Sequence, residues 1–596
     1  MVTPQNKTKI FRQNNSLSQP VRQIALIVVL TLIGYSLAPP DLTTGAYVAQ
    51  IHTTIAGQTI SLDFPFAIGA ATGAQVTKSV TVNGITLMVM GNEQYRLGIG
   101  ERLRFQARAV DGASQPVPLA LDATGSRLVG PAYQQSLPPT TQVQDDAGTW
   151  LLFTMRMPLQ AKTTLALLFA VAGLWLTELI PLAASALLIP VVAVVTGIAS
   201  ETAAFQAFAD PIIMLFLAGF LMAEAMRRTG LDRWVALAIL QRSSAQPAYL
   251  MLTLMALTAF LSMWMSNTAA AAITIPIALA ILAKIPDEKE PTGFRKALIL
   301  AVAYSATIGG IGSAIGTPAN MLAVSFLNKY TGAELAFADW FAFGLPMVLL
   351  MTPLVWLYLL FTFGLNPWRV NGAISHSIQH ELYATEFKQQ GPLGRDQKLV
   401  MGIFLGVMAL WLTEEWHGIS TAIVAIGGAL LLFLLRLVKE GDLNQINWNA
   451  LLTFGGGLAI GTLLVNTGVS DWIALQLVGL NNLPAALVVF LVAGLTLLLG
   501  AFISNTACAA MLIPLAIPLA QLLGLDPRLL VAVVAIGSSI DFALVIGTPP
   551  TMLAYATGFF RTSEIFRRGL LLDLIGLLLL SFGVIWIWWL LGAVQL

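Results

Sequence analysis

The sequence predicts an all-α polytopic membrane protein made of two inverted repeats, with an inserted β domain. Three observations predict it. Of 596 residues, 57% are hydrophobic and only 10% charged, against about 25% charged in a soluble domain. Apolar stretches of about 20 residues, the length that spans a bilayer, recur along the chain. A set of polar motifs occurs twice at a nearly constant offset. The charge deficit excludes a soluble enzyme, a disordered chain and a nucleic-acid binder. The net charge of +1 implies no bulk electrostatic partner. One cysteine, Cys508, excludes an intrachain disulfide, and His52, His376, His380 and His417 are too scattered for a metal centre.

Residues 1–39 read as a basic cytoplasmic tail and a first span near 22–38. A signal peptide has the same basic flank and apolar core. No clean small-x-small site precedes Pro39, which favours an uncleaved span. Residues 40–158 change character. Alternating β-branched runs appear at Thr59–Phe66, Val76–Val89, Glu101–Val110 and Thr149–Met155, and Asn83-Gly84 is a strong hairpin signal. This segment is expected to be a small extracytoplasmic β domain, a sandwich or barrel. It reads as a spacer or lid on the membrane part, or as a partner-binding or solute-capturing module.

Membrane repeat 1 is expected over 159–365, a cytoplasmic linker over 366–398, and repeat 2 over 399–596. Candidate spans lie near 162–179, 181–199, 211–226, 297–327, 342–364, 399–413, 418–437, 450–468, 529–557 and 569–592. With the first span they make eleven transmembrane helices. Two longer stretches, about 248–283 and 484–523, have polar centres and no charge until their ends. They are expected to form helical hairpins, re-entrant or spanning. With the N-terminus cytoplasmic and the C-terminus outside, the short outer loops hold only Lys329 and Arg528 as basic residues, as the positive-inside rule asks.

The repeat is written in polar residues. Leu174-Trp175-Leu176-Thr177-Glu178 recurs as Leu410-Trp411-Leu412-Thr413-Glu414, and Phe216 and Gly219 recur as Phe454 and Gly457. Ser266-Asn267-Thr268 recurs as Ser504-Asn505-Thr506, 238 residues on, and Gly316-Thr317-Pro318 as Gly547-Thr548-Pro549, 231 on. An odd number of crossings separates the repeat starts, so the second copy is inverted. Inverted repeats with interrupted helices place a binding site at their interface near the midplane.

Ser266-Asn267-Thr268 sits at the centre of one uncharged stretch, where an amide and two hydroxyls need partners. Such a triplet is more often interhelix glue, but two copies at two hairpin tips converge on one place. The Gly-Thr-Pro motifs are the second element. Glycine permits an unwound backbone and proline removes a donor. Each break frees carbonyls for a small cation and helix N–H groups for an anion. The inferred site lacks Arg, Lys and His, so a bound cation such as Na⁺ is the natural charge partner of an anion. Asp541 lies inside an apolar span, seven residues before Thr548, and reads either as a coupling group or as a structural acid. Glu224 is expected to pair with Arg227 at a helix end.

Paired Ser-Asn-Thr triplets, each followed by a Gly-Thr-Pro loop, resemble the divalent anion/sodium symporter family over roughly residues 160–596. The resemblance implies a homodimer in the lipid bilayer that works as an elevator, with re-entrant hairpins, in a bacterial inner membrane. It implies substrate contacts from Ser266, Asn267, Thr268, Thr317, Pro318, Ser504, Asn505, Thr506, Thr548 and Pro549. It further implies one Na⁺ site from Ser262, Ser266, Asn267 and Gly316, and a second from Gly500, Ile503, Asn505 and Gly547. Gly500 stands where the symmetry mate is Ser262, and Thr551 where the mate is Asn320. The expected function is Na⁺-coupled uptake of C4-dicarboxylates, with no further cofactor. Alternatives are a sulfate or tricarboxylate permease, an anion exchanger without Na⁺ coupling, or a receptor acting through the β domain. No enzyme motif is present.

Overall fold

The computed structural model describes residues 18–38, 45–55, 58–83, 85–96, 102–111, 113, 115–117, 126–130, 133–136, 141–145, 148–156, 159–241, 246–284, 293–333, 335–365 and 391–595. Most of the expected cytoplasmic tail, the greater part of the 366–398 linker, and Gly84 lie outside the described residues.

Helix α1 (Ser18–Leu37) is followed by eleven strands in two sheets. One sheet has the order β5-β2-β1-β8-β9: Gln94–Arg96, Gln58–Gly69, Gly45–Ile55, Arg127–Gly130 and Tyr133–Ser136. The other has the order β10-β11-β6-β4-β3: Thr141–Asp145, Gly148–Arg156, Arg102–Val110, Ile85–Asn92 and Gln75–Val82. The short β7 (Pro116–Val117) pairs with β6. The predicted β-branched runs fall on β2, the β3–β4 hairpin, β6 and β11, with Glu101 outside the described residues. Asn83, at φ 51°, turns β3 back on β4 with Val82 opposite Ile85. Alternation decides the packing. Leu103, Phe105, Ala107 and Ala109 of β6 and Ile60, Leu62, Phe64, Phe66 and Ile68 of β2 are buried in one shared core. Phe105 is its hub, with ring centroids 5.5 Å from Phe64, 5.3 Å from Phe66 and 5.6 Å from Tyr95.

The rest is helical. Repeat 1 contributes α2 (Ala161–Thr177), α3 (Leu182–Val195), α4 (Glu201–Gln206), α5 (Pro211–Thr229), α6 (Leu231–Leu240), α7 (Pro247–Ser262), α8 (Asn267–Lys284), α9 (Phe294–Ile311), α10 (Pro318–Thr331) and α11 (Trp340–Thr362). Repeat 2 contributes α12 (Arg395–Leu412), α13 (Glu414–His417), α14 (Thr421–Leu434), α15 (Trp448–Asn466), α16 (Val469–Gln476), α17 (Ala485–Gly500), α18 (Asn505–Leu522), α19 (Pro527–Gly537), α20 (Pro549–Ala556), α21 (Thr562–Leu578) and α22 (Val584–Leu590). Among the described residues, seven helices are long and apolar enough to cross a membrane. The chain is an integral membrane protein.

The internal repeat is obeyed to the residue where it matters. Adding 238 to both ends of α7 and α8 gives both ends of α17 and α18. Local chemistry sets these boundaries. Asp210 caps α5 by accepting from the Ile212 N–H at 3.0 Å, and Gly230, at φ 70°, ends it. Asn447 caps α15 through the Ala450 N–H at 3.1 Å. Pro211, Pro247, Pro318, Pro527 and Pro549 occupy first-turn positions, where a missing N–H is harmless. Glu224 pairs with Arg227 at 2.6 Å as its spacing predicts.

Small residues on α15 bring the two repeats together. A Cβ at Gly456 would press on Ala186 of α3 and one at Gly461 on Phe326 of α10, while one at Gly457 would press on Ala510 of α18 within repeat 2. Two cross-repeat hydrogen bonds reinforce the packing: Trp588 Nε1 donates to Phe343 O at 2.9 Å, and Tyr304 Oη to Phe542 O at 3.1 Å.

Candidate substrate and cation site

Each hairpin tip is a short break between two helices. In the first, Ser266 Oγ accepts the Ala269 N–H at 3.3 Å. In the second, Ser504 Oγ accepts the Ala507 N–H, also at 3.3 Å. The serine of each triplet is therefore a helix cap, with the asparagine and threonine at the first two helical positions. Each Gly-Thr-Pro break has the same logic. Thr317 (φ −137°) and Thr548 (φ −130°) are extended, and the following proline opens a new helix. Four helix N-termini, those of α8, α10, α18 and α20, thus begin at one place.

That place is a cavity of about 330 Å³. All ten residues expected to contact substrate line it: Ser266, Asn267, Thr268, Thr317, Pro318, Ser504, Asn505, Thr506, Thr548 and Pro549. Among the described residues, no charged side chain lines it. The donors available to an anion are hydroxyls, amides and helix N–H groups. Among the described residues, Thr317 Oγ1, Thr453 Oγ1 and Asn505 Oδ1 are buried without a hydrogen-bond partner, so the cavity presents unused polar capacity.

Sequence reasoning missed part of the wall. Phe216, Gly219 and Phe220 of α5 line one side, and Asn447, Asn449, Ala450 and Thr453 at the start of α15 line another. Phe216 stood out only as a repeat marker. Its ring centroid lies 5.4 Å from that of its mate Phe454. The asparagines on either side of Trp448, at the head of an apolar span, were the available signal.

The expected cation residues divide. Gly316, Gly547, Ser266, Asn267 and Asn505 line the cavity, whereas Ser262, Gly500 and Ile503 do not. Ser262 is fully buried behind Asn267. Its hydroxyl lies 2.9 Å from Asn267 Oδ1 and 2.6 Å from Ala306 O. A Cβ at Gly310 would strike Asn267 Oδ1, and one at Gly316 would strike Gly310 O. The first repeat therefore gathers hydroxyl, amide and carbonyl oxygens within a few ångströms, the donor set a hard cation prefers. In the second repeat Gly500 brings no hydroxyl, and Asn505 Oδ1 has no partner. If this cluster holds the Na⁺ that the sequence resemblance implies, Ser262→Ala raises the Na⁺ concentration for half-maximal uptake on the order of tenfold, the usual loss when a supporting ligand contact goes. A Na⁺ titration of uptake reads it.

The two loops also differ. Asn320 Nδ2 donates to Gly310 O at 3.0 Å, Ile311 O at 3.3 Å and Ser313 O at 2.7 Å. Ser313 Oγ donates to Met263 O and accepts from the Gly316 N–H, stitching loop to hairpin tip. Thr551 is too short for this and instead shares a 2.9 Å hydrogen bond with Thr548.

Residues 150–594 match the profile described as "Sodium:sulfate symporter transmembrane region". The chain belongs to this family, the divalent anion/sodium symporters. As a member of it, the protein is a membrane transporter and not an enzyme. It is 31% identical over 461 residues to the "Sodium-dependent dicarboxylate transporter SdcS" of Staphylococcus aureus strain MRSA252, covering 72% of this chain and 86% of the relative. The protein of strain USA300 matches equally. Among solved structures, the Alcanivorax borkumensis YdaH transporter aligns with a TM-score of 0.46 at 17% identity, over 66% of this chain and 88% of that one. Neisseria gonorrhoeae MtrF aligns at 0.47 and 12% identity, over 66% and 83%.

Proposed function

We propose that this symporter-family protein takes up C4-dicarboxylates together with Na⁺. The observation that carries the reading is the uncharged cavity shared by both hairpin tips and both Gly-Thr-Pro breaks. A dianion held without Arg, Lys or His needs a bound cation to offset its charge, and the oxygen cluster around Asn267 supplies a place for one. Its similarity to a sodium-dependent dicarboxylate transporter favours the same pairing.

In this reading the protein is a homodimer in a bacterial plasma membrane, with eleven crossings, two re-entrant hairpins and an extracytoplasmic β domain over 40–158. The domains run 1–39, 40–158, 159–365, 366–398 and 399–596. The early spans of each repeat form a scaffold. The hairpins and the spans after them carry the site across as an elevator. Leu182 and Asn447, at the cytoplasmic ends of their spans in this topology, line the cavity, so the site faces inward.

Thermal unfolding of the purified protein tests the pairing. Succinate should raise the Tm in NaCl and leave it unchanged in choline chloride, because a ligand stabilises only the state it binds. A shift produced by sulfate or citrate but not by succinate would replace the substrate class.

A further inference from the structure

A second cavity, of about 540 Å³, opens at the far end of three helices that begin at the first. Helix α3 starts at the substrate cavity with Leu182 and reaches the second with Ile189 and Ala193. Helix α10 starts at the substrate cavity with Pro318 and ends at the second with Lys329 and Tyr330. Helix α15 runs the same way, from Asn449 to Asn466. Lys329 lies eleven residues beyond Pro318, about 16 Å along a helix. Between the cavities the seam is shut. Phe326 of α10 is 1% exposed and packs on Gly461 of α15, where a Cβ would strike its ring. Tyr330 stacks on Phe326 one turn further out, with ring centroids 5.6 Å apart. The two cavities are the ends of one closed seam between the repeats.

Charge distinguishes the second cavity from the first. Among the described residues, Lys329 is the one basic side chain that lines it. Its Nζ donates to Thr462 Oγ1 across the seam at 3.2 Å. None of the ion pairs among the described residues involves it. Arg528, the other basic residue of the short outer loops, is fully engaged: its guanidinium makes three hydrogen bonds to Asp526, the shortest 2.7 Å. Asp210 is the one acid in the described cavity wall. It accepts the Ile212 N–H at 3.0 Å, and the N-terminus of α5 offsets its charge. Gln206 and Asn466 bring amides to the same wall.

We propose that this outer cavity is a capture site for the incoming dianion, with the Lys329 ammonium holding a substrate carboxylate before the seam opens past Phe326. The inference rests on the dicarboxylate reading and the topology above, which put this cavity on the uptake side. The inner site has no charged side chain among the described residues, so its side chains draw no dianion from water at a distance. An exposed lysine at the mouth does, and its pull weakens as ionic strength rises.

The test compares wild type, Lys329→Gln, Lys329→Arg and Asp210→Asn in right-side-out and inside-out membrane vesicles. Labelled succinate is the probe, with an inward Na⁺ gradient. In right-side-out vesicles Lys329→Gln should raise the KM for succinate roughly fivefold, the scale of one exposed charge contact, with little change in maximal rate. Lys329→Arg, which keeps the charge, should stay near wild type. Asp210→Asn keeps a capping side chain but removes the acid, and should lower the KM. Added choline chloride should raise the KM of wild type and leave that of Lys329→Gln almost unchanged. In inside-out vesicles, where succinate meets the other face, all four proteins should share one KM. An unchanged KM for Lys329→Gln in right-side-out vesicles would overturn the proposal, and so would an equal rise in both orientations. If wild type ignores succinate but carries sulfate, the dicarboxylate reading fails and the same comparison with sulfate decides the capture site.

Discussion

Asn267→Ala should reduce uptake on the order of 100-fold or more, and Asn505→Ala should do the same, with both proteins still folding. Each amide stands at the first position of a helix that starts at the cavity. A hydrogen bond to a charged group contributes roughly 1.5–3 kcal/mol, and losing it at a buried site strands the partner as well. Asn267 has a second duty, because its Oδ1 contacts Ser262 behind the cavity wall. Asn267→Ala should therefore weaken Na⁺ and substrate together, whereas Ser262→Ala should act mainly on Na⁺. Initial rates over a grid of Na⁺ and succinate concentrations separate the two. Size-exclusion profiles and Tm values check that the fold survives. Normal uptake by either alanine variant would remove the triplets from the site.

Gly310→Ala should be nearly as damaging, for a steric reason. The added methyl would occupy the space of Asn267 Oδ1 and crowd Thr317 Cγ2. Overpacking of this kind costs about 1–3 kcal/mol. The group that must give is the Asn267 amide, so the loss should fall on the site rather than on assembly. Its neighbour is a control of opposite character. A methyl at Gly309 would strike the backbone of Ala259 on α7, and Gly309→Ala should lower the Tm first. If Gly310→Ala transported normally with an unchanged Na⁺ response, the close packing of Asn267 under the first tip would be irrelevant to function.

Much of this architecture could be read before any coordinates. Ser266, Asn267 and Thr268 announced the first tip because an uncharged stretch has few reasons to hold three polar residues in a row. Their recurrence as Ser504, Asn505 and Thr506 then located the second. Pro318 and Pro549 marked the breaks because proline resists a helix interior but suits its first turn. The β-branched alternation between residues 59 and 155 gave strands for the same kind of local reason. What stayed hidden depended on tertiary packing. Phe220 and Thr453 look like any residues of an apolar span, and only the meeting of α5 and α15 turns them towards the cavity. That Ser262 would sit behind the cavity wall, 2.9 Å from Asn267 Oδ1 and 2.6 Å from Ala306 O, could not be read from its place in an apolar stretch. The closure of the first loop by Asn320 was also invisible, since the carbonyls of Gly310, Ile311 and Ser313 converge on its amide only because α9 ends at Ile311 and the chain turns back. Asp541 was visible as an anomaly in an apolar span.

The central claim is that the converging tips bind a dianion with Na⁺. Uptake of labelled succinate into proteoliposomes, with and without an inward Na⁺ gradient, tests it most directly. The account predicts accumulation above equilibrium with the gradient and little without it. Uptake that ignores the gradient and appears only when the vesicles are preloaded with dicarboxylate would contradict it and make the protein an exchanger.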